Sequence, residues 1–155
     1  MYRIVSHCVV LCAVIVGSVT PSFGDSSNDA CALVGAGEIT KATGLTVANG
    51  IPGTPIPGVL GRCTWQGSGN TRIVLTLADT QHMQHTIEAQ QASGGSPETG
   101  LGSKAVGIKG AGFTGGGYTV SVVDGKGGFG VSILGPEGTR ERVLALAMLV
   151  ESHRH

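Results

Sequence analysis

The strongest constraint in this chain is a pair of alternating runs joined by a tight turn. Residues 118–123 read "YTVSVV" and residues 129–134 read "FGVSIL", with "DGKG" between them. A strand sends successive side chains to opposite faces. Tyr118, Val120 and Val122 therefore share one face, as do Phe129, Val131 and Ile133. Asp124-Gly125 opens a hairpin turn, because glycine and aspartate tolerate the backbone angles that such turns need. The result is an antiparallel ribbon with one apolar face. That face is buried only if helices cover it.

The rest of the chain supplies both more strand and the helices. Residues 63–65 begin a strand and "GSGN" at 67–70 turns it. Residues 72–78 form the next strand, with Ile73, Leu75 and Leu77 on one face. A weaker strand spans 104–109. Leu33, Ala36, Ile39 and Ala42 recur at helical spacing, so 32–43 reads as a short helix stopped by Gly44. Residues 80–92 form a polar helix with a narrow stripe of Met83 and Ile87, capped by Asp79 or Thr80. Residues 139–152 form a last helix, apolar nearly all round from Val143 to Val150. Glu141 lies near its start and His153, Arg154 and His155 near its end, as the helix dipole favours. Loops rich in glycine and proline occupy 46–62 and 93–102. The expected order is α-β-β-α-β-β-β-α: an α+β fold whose antiparallel sheet of about five strands is packed by helices.

Residues 1–24 stand apart. Arg3 is their one full charge, 4–19 is mostly apolar, and Ser22 and Gly24 are small residues suited to cleavage before Asp25. This is the pattern of a secretory leader. A membrane span needs about 20 mostly apolar residues, and this stretch is shorter and carries His7. Neither Cys8 nor Cys12 follows the small residue that a lipoprotein signal needs. The expectation is a leader over 1–24 and a single exported domain over 25–155, secreted or periplasmic, meeting the membrane only during export.

Export leaves Cys31 and Cys63, and two cysteines in an oxidising compartment read as one disulfide. Neither belongs to a C-x-x-C pair, which argues against a redox or metal role. Removing Arg3 takes the formal net charge one unit below the zero of the whole chain, and the charges are scattered. Nucleic acid is therefore not an expected partner. With 27 glycines and 4% aromatic residues, the core should be modest and the turns many.

"CALVGAGEIT" at 31–40 has the look of a dinucleotide fingerprint, but the position of its third glycine is Thr40. No buried strand precedes it and no βαβ unit follows. Gly35 and Gly37 are small residues in a helix. The same stretch, Asp29-Ala30-Cys31-Ala32-Leu33-Val34, followed by Glu38-Ile39, Thr43-Gly44-Leu45, Cys63-Thr64-Trp65 and Gly100-Leu101-Gly102-Ser103-Lys104-Ala105, resembles an exported family of unknown function. Many of its members are actinobacterial lipoproteins. The resemblance runs over most of 29–150. It implies a PsbP-like α/β sandwich, and it carries over no catalytic residues. The missing lipoprotein cysteine implies a soluble form.

Nucleophilic catalysis needs a base beside Ser or Cys. Ser68 lacks the outer glycines of a nucleophile elbow and lies in a turn. The phosphate loop is absent, and "GAGFTGGG" at 110–117 reads as a flexible connection. Glu38, Glu88, Glu98 and Glu141 are isolated in sequence, so no carboxylate pair emerges. His82 and His85, one helical turn apart, with Glu88 three residues on, offer at best a weak open Zn or Cu site. The expectation is a non-enzymatic exported module without a cofactor, binding a small ligand or an envelope protein. Its default site is a groove between the sheet and the loops at 46–62, 93–103 and 110–117. Trp65, Phe113 and Tyr118 are its aromatic candidates, with a core role also open to Trp65. The alternative is a periplasmic metal-binding protein using His82, His85 and Glu88.

Overall fold

A computed structural model describes residues 29–54, 56–110 and 116–155. The expected leader over 1–24, Pro55 and Phe113 lie outside the described residues. The elements are α1 (Ala30–Leu33), α2 (Ala36–Thr43), β1 (Ile51–Pro52), β2 (Val59–Gln66), β3 (Arg72–Ala78), α3 (Thr80–Ala92), β4 (Ser96–Glu98), β5 (Lys104–Lys109), β6 (Gly117–Asp124), β7 (Gly127–Leu134) and α4 (Arg140–Arg154). The fold is α+β, and the strands form one antiparallel sheet in the order β1-β2-β3-β7-β6-β5-β4. Two meanders meet where β3 pairs with β7, in register from Arg72–Leu134 to Ala78–Gly128.

Seven strands replace the expected five. The extra two, β1 and β4, are the sheet edges. They are two and three residues long, and each contains a proline. Proline cannot donate to a ladder, so such edges resist further pairing, and so short a run leaves no alternation to read. The first helix is two helices rather than one. Val34 is extended between them, and Gly35 begins α2 by donating its N–H to Glu38 Oε2 at 2.9 Å. Asp29 caps α1 through the N–H groups of Cys31 and Ala32, and Gly44 ends α2 at φ 73°. The 72–78, 80–92 and 104–109 elements have the expected bounds, and Asp79 rather than Thr80 caps α3.

The sheet's two faces differ. On one, α1, α2 and α4 cover a continuous core that includes Val34, Ile39, Trp65, Ile73, Leu75, Leu77, Val120, Val122, Phe129, Val131, Ile133, Val143, Leu146 and Val150. The Cys31–Cys63 disulfide, with 5.0 Å between Cα atoms, fixes α1 to β2. Gly50 passes so close that a Cβ there would stand 2.5 Å from Cys63 Sγ and 2.7 Å from Trp65 Nε1. The α4 helix buries one side rather than all of its surface, and Met148 is half exposed. On the other face α3 alone covers Ala78, Val106 and Val123 through Met83 and Ile87. No helix of the described residues is long and apolar enough to cross a membrane.

Candidate functional site

The α3 helix lies across β5, β6 and β7 and makes few or no contacts with β2 and β3 on its side of the sheet. The open floor follows from strand parity and register. One row across the sheet is Arg62, Thr76, Gly130, Ser121; the next is Thr64, Val74, Ser132, Thr119. These are the positions opposite in parity to Cys63, Leu75, Val131 and Val120, which face the core. The floor is therefore a field of hydroxyls with a glycine at its centre. Thr119 donates its hydroxyl to Ser132 Oγ at 2.9 Å. A Cβ on Gly130 would meet its nearest neighbours at 3.8–4.0 Å, so the glycine leaves room rather than resolving a clash.

Helix and turn form the walls. A cavity of about 270 Å³ is lined by Arg62, Thr76, Thr119, Ser121, Gly130 and Ser132 below, by His82, Met83, Thr86 and Gln90 of α3, and by Ile56 and Val59. A second, more open hollow of about 570 Å³ continues past the shared Thr86 and Gln90 to Ser93, Ile108, Lys109 and Gly110. Small-molecule sites run roughly 300–1,000 Å³, so the first cavity falls just short of that range and the second lies within it. The end wall is the β-turn at 56–59, closed by Val59 N–H to Ile56 O at 3.1 Å, with Gly58 at φ 80°. It docks on α3, where Asp79 donates its N–H to Gly58 O and His82 packs against Gly58 closely enough that a Cβ would sit 2.5 Å from Nδ1. Among the described residues, Gln90 Oε1 is a buried side-chain polar atom with no hydrogen-bond partner. A buried polar atom without a partner costs roughly 1–3 kcal/mol.

The anticipated site residues are dispersed. Trp65 is buried in the core on the opposite face, so its core role is the one realised. Tyr118 is also on that face and donates its hydroxyl to Glu98 Oε1 at 2.6 Å. His82 lines the cavity. His85 is exposed and pairs with Glu88 at 3.7 Å, and among the described residues no group of three His, Cys, Asp or Glu could hold a metal ion. Among the described residues, the three loops expected around a groove contribute Ile56, Val59 and Arg62, then Ser93, then Gly110 to the two cavities, and α3 forms the main wall. The hydroxyl floor is not legible in the sequence, because Ser and Thr on strands look like an ordinary solvated face. Gly130 was the available signal, since a glycine inside a strand marks close approach or space for a ligand.

Two further clusters lie on the covered face, both carboxylates held by arginine forks. Glu98 accepts from Tyr118, from Arg140 Nε at 2.9 Å and from Arg140 Nη2 at 2.5 Å. Burial pushes its carboxyl up, but the hydrogen bonds from Arg140 and Tyr118 and the guanidinium charge outweigh that and hold it below its ordinary value. Burial, and then the bond to Glu98 and its charge, push the Tyr118 hydroxyl up. Asp124 accepts from Arg154 Nε at 2.6 Å, from Nη2 at 3.1 Å and from the Lys126 N–H. Burial raises it too, but the Arg154 fork and the Lys126 N–H win and its pKa is lowered. These clusters bolt the two ends of α4 to the sheet. A carboxylate held ionised and a phenol held neutral suit anchoring, not proton transfer near neutral pH.

The chain matches no family model, no curated protein and no solved structure.

Proposed function

We propose that this protein is an exported, non-enzymatic module that binds a small polar ligand in the groove between α3 and the open half of the sheet. The observation that carries this reading is the orphaned Gln90 Oε1 at the wall of a hydroxyl-floored cavity. A floor of Thr76, Thr119, Ser121 and Ser132 serves recognition, because hydroxyls both donate and accept. The sequence contains no nucleophile elbow, phosphate loop or paired carboxylates, which favours binding over turnover. Export rests on the leader pattern of 1–24 and accords with the Cys31–Cys63 disulfide, a bond of oxidising compartments. The motif order shared with exported proteins of unknown function points the same way.

Gly130→Val tests the site. Valine suits a strand, Gly130 is not at a positive φ, and the new side chain fills the centre of the floor. Thermal shifts are measured across a panel of small polar metabolites with wild-type and variant protein. A ligand at 100 times its Kd stabilises by about 2.7 kcal/mol. The expected result is a clear shift for at least one compound in the wild type. It should be lost in a variant that melts like the wild type without ligand. No shift across the panel, or a shift that survives in Gly130→Val, overturns the assignment.

A further inference from the structure

Resting on that binding reading, we infer that the groove takes a small hydroxylated anion, a sugar acid or sugar phosphate, whose oxyanion is held by Arg62 and whose hydroxyls meet Gln90 and the floor. The distribution of charge carries the argument. The two acidic residues of the strands, Glu98 and Asp124, both lie on the covered face, each forked by an arginine. Among the described residues, the lining of the groove contains Arg62 and Lys109 and no Asp or Glu. By strand alternation Arg72 also belongs to the open face, beside Gln66 and Leu134. Among the described residues Arg62 and Lys109 form no ion pair, whereas Arg140, Arg142 and Arg154 all do. A cavity wall with cations and no counter-charge favours an anionic occupant. Guanidinium suits a carboxylate or phosphate, which it binds through two parallel donors.

The neutral part of the lining sets the rest of the ligand. Gln90 Oε1 needs a donor, and a hydroxyl supplies one; turned over, the same amide offers Nε2 to an oxygen. Thr76, Thr119, Ser121 and Ser132 repeat that two-way capacity along the floor. An apolar acid would leave these groups desolvated, and a neutral sugar would leave Arg62 unused.

Calorimetric titration with D-glucuronate, glucose 6-phosphate, D-glucose and D-glucosamine tests the inference. One or both anions should bind roughly tenfold or more tightly than glucose, because a hydrogen bond to a charged group outweighs a neutral one. The two anions decide between carboxylate and phosphate. Binding should weaken as salt rises, and glucosamine should bind worst. Arg62→Gln keeps the side-chain stem that packs against Gly53, and it should erase the preference for anions without changing Tm. Glucose binding as well as both anions, with all of them lost in Gly130→Val, overturns the anion assignment and leaves the groove as the site. Silence from all four compounds overturns this inference alone when the wider metabolite panel still gives a shift that Gly130→Val removes. An anion preference that survives in Arg62→Gln also overturns it.

Discussion

One sheet carries two faces built on opposite plans. The covered face carries the apolar core of β2, β3, β6 and β7, packed by three helices and held at both ends of α4 by arginine–carboxylate forks. Among the described residues its buried carboxylates are matched by arginine, tyrosine and backbone donors. The other face has a single helix, a five-residue apolar patch and a floor of hydroxyls. There, among the described residues, the amide oxygen of Gln90 has no hydrogen-bond partner and Arg62 and Lys109 form no ion pair. A face that is satisfied internally serves stability; on the binding reading proposed above, the face with the cavity serves recognition.

The largest expected effect lies in the covered face. Arg154→Ala removes a guanidinium that bonds twice to buried Asp124 and stacks 5.7 Å from the Phe129 ring centroid. Leaving a buried charge unmatched costs about 3–5 kcal/mol, read as a lower urea midpoint. Arg140→Ala should cost less, because that side chain is 54% exposed and Glu98 keeps its Tyr118 bond. Equal losses would erase the difference between the two ends of α4.

Next comes the disulfide. The double variant Cys31→Ala/Cys63→Ala should lose about 2–4 kcal/mol in the same assay. Ligand binding in the groove, on the far side of the sheet, should persist in the fraction that stays folded. Loss of binding in step with the bond would mean that the two faces are not independent.

Two glycines on the same strand sharpen the contrast further. A Cβ on Gly128 would stand 2.5 Å from Met83 Cγ and 2.7 Å from Val122 O, under α3. Gly128→Ala should therefore cost about 1–3 kcal/mol by overpacking. Gly130→Ala, two residues along, has room and should stay within about 0.5 kcal/mol of wild type. Similar costs for both would mean that the floor is closed.

The mildest perturbation is acid. The carboxyls of Glu98 and Asp124 are lowered from ordinary values of 4.5 and 3.8. A lowered folded pKa gives stability that is fully present above the ordinary value and is lost as pH falls through the folded one. Stability should be flat from pH 7 to about 5 and decline below about 4.5. In Asp124→Asn, already destabilised at neutral pH, the decline should be shallower. An unchanged slope in that variant would remove Asp124 from the account.

Much of the fold is legible residue by residue. The alternation of Ile73, Leu75 and Leu77, and of Phe129, Val131 and Ile133, assigns each to the core face, and all of them are fully buried. Met83 and Ile87 are the two residues that α3 buries. The hairpin at Asp124 and the cysteine pair are equally plain. The edge strands were hidden, because two or three residues around a proline carry no period. The arginine forks were hidden as well: Arg140 reaches back 42 residues to Glu98, and Arg154 reaches back 30 to Asp124.

By itself, then, the sequence determined which side of each strand a residue occupies, where helix α3 starts and stops, and which cysteines join. Those properties depend on neighbours within a few residues, where backbone geometry alone sets the pattern. The tertiary structure alone decided that β3 lies beside β7. That pairing sets Thr76 against Gly130 and gathers hydroxyls from three strands into one floor. It also decided that α3 crosses one half of the face and leaves the other open. Periodicity assigns a side chain to a face and never names the strand next to it; long-range pairing is settled only when the whole chain buries its apolar surface at once.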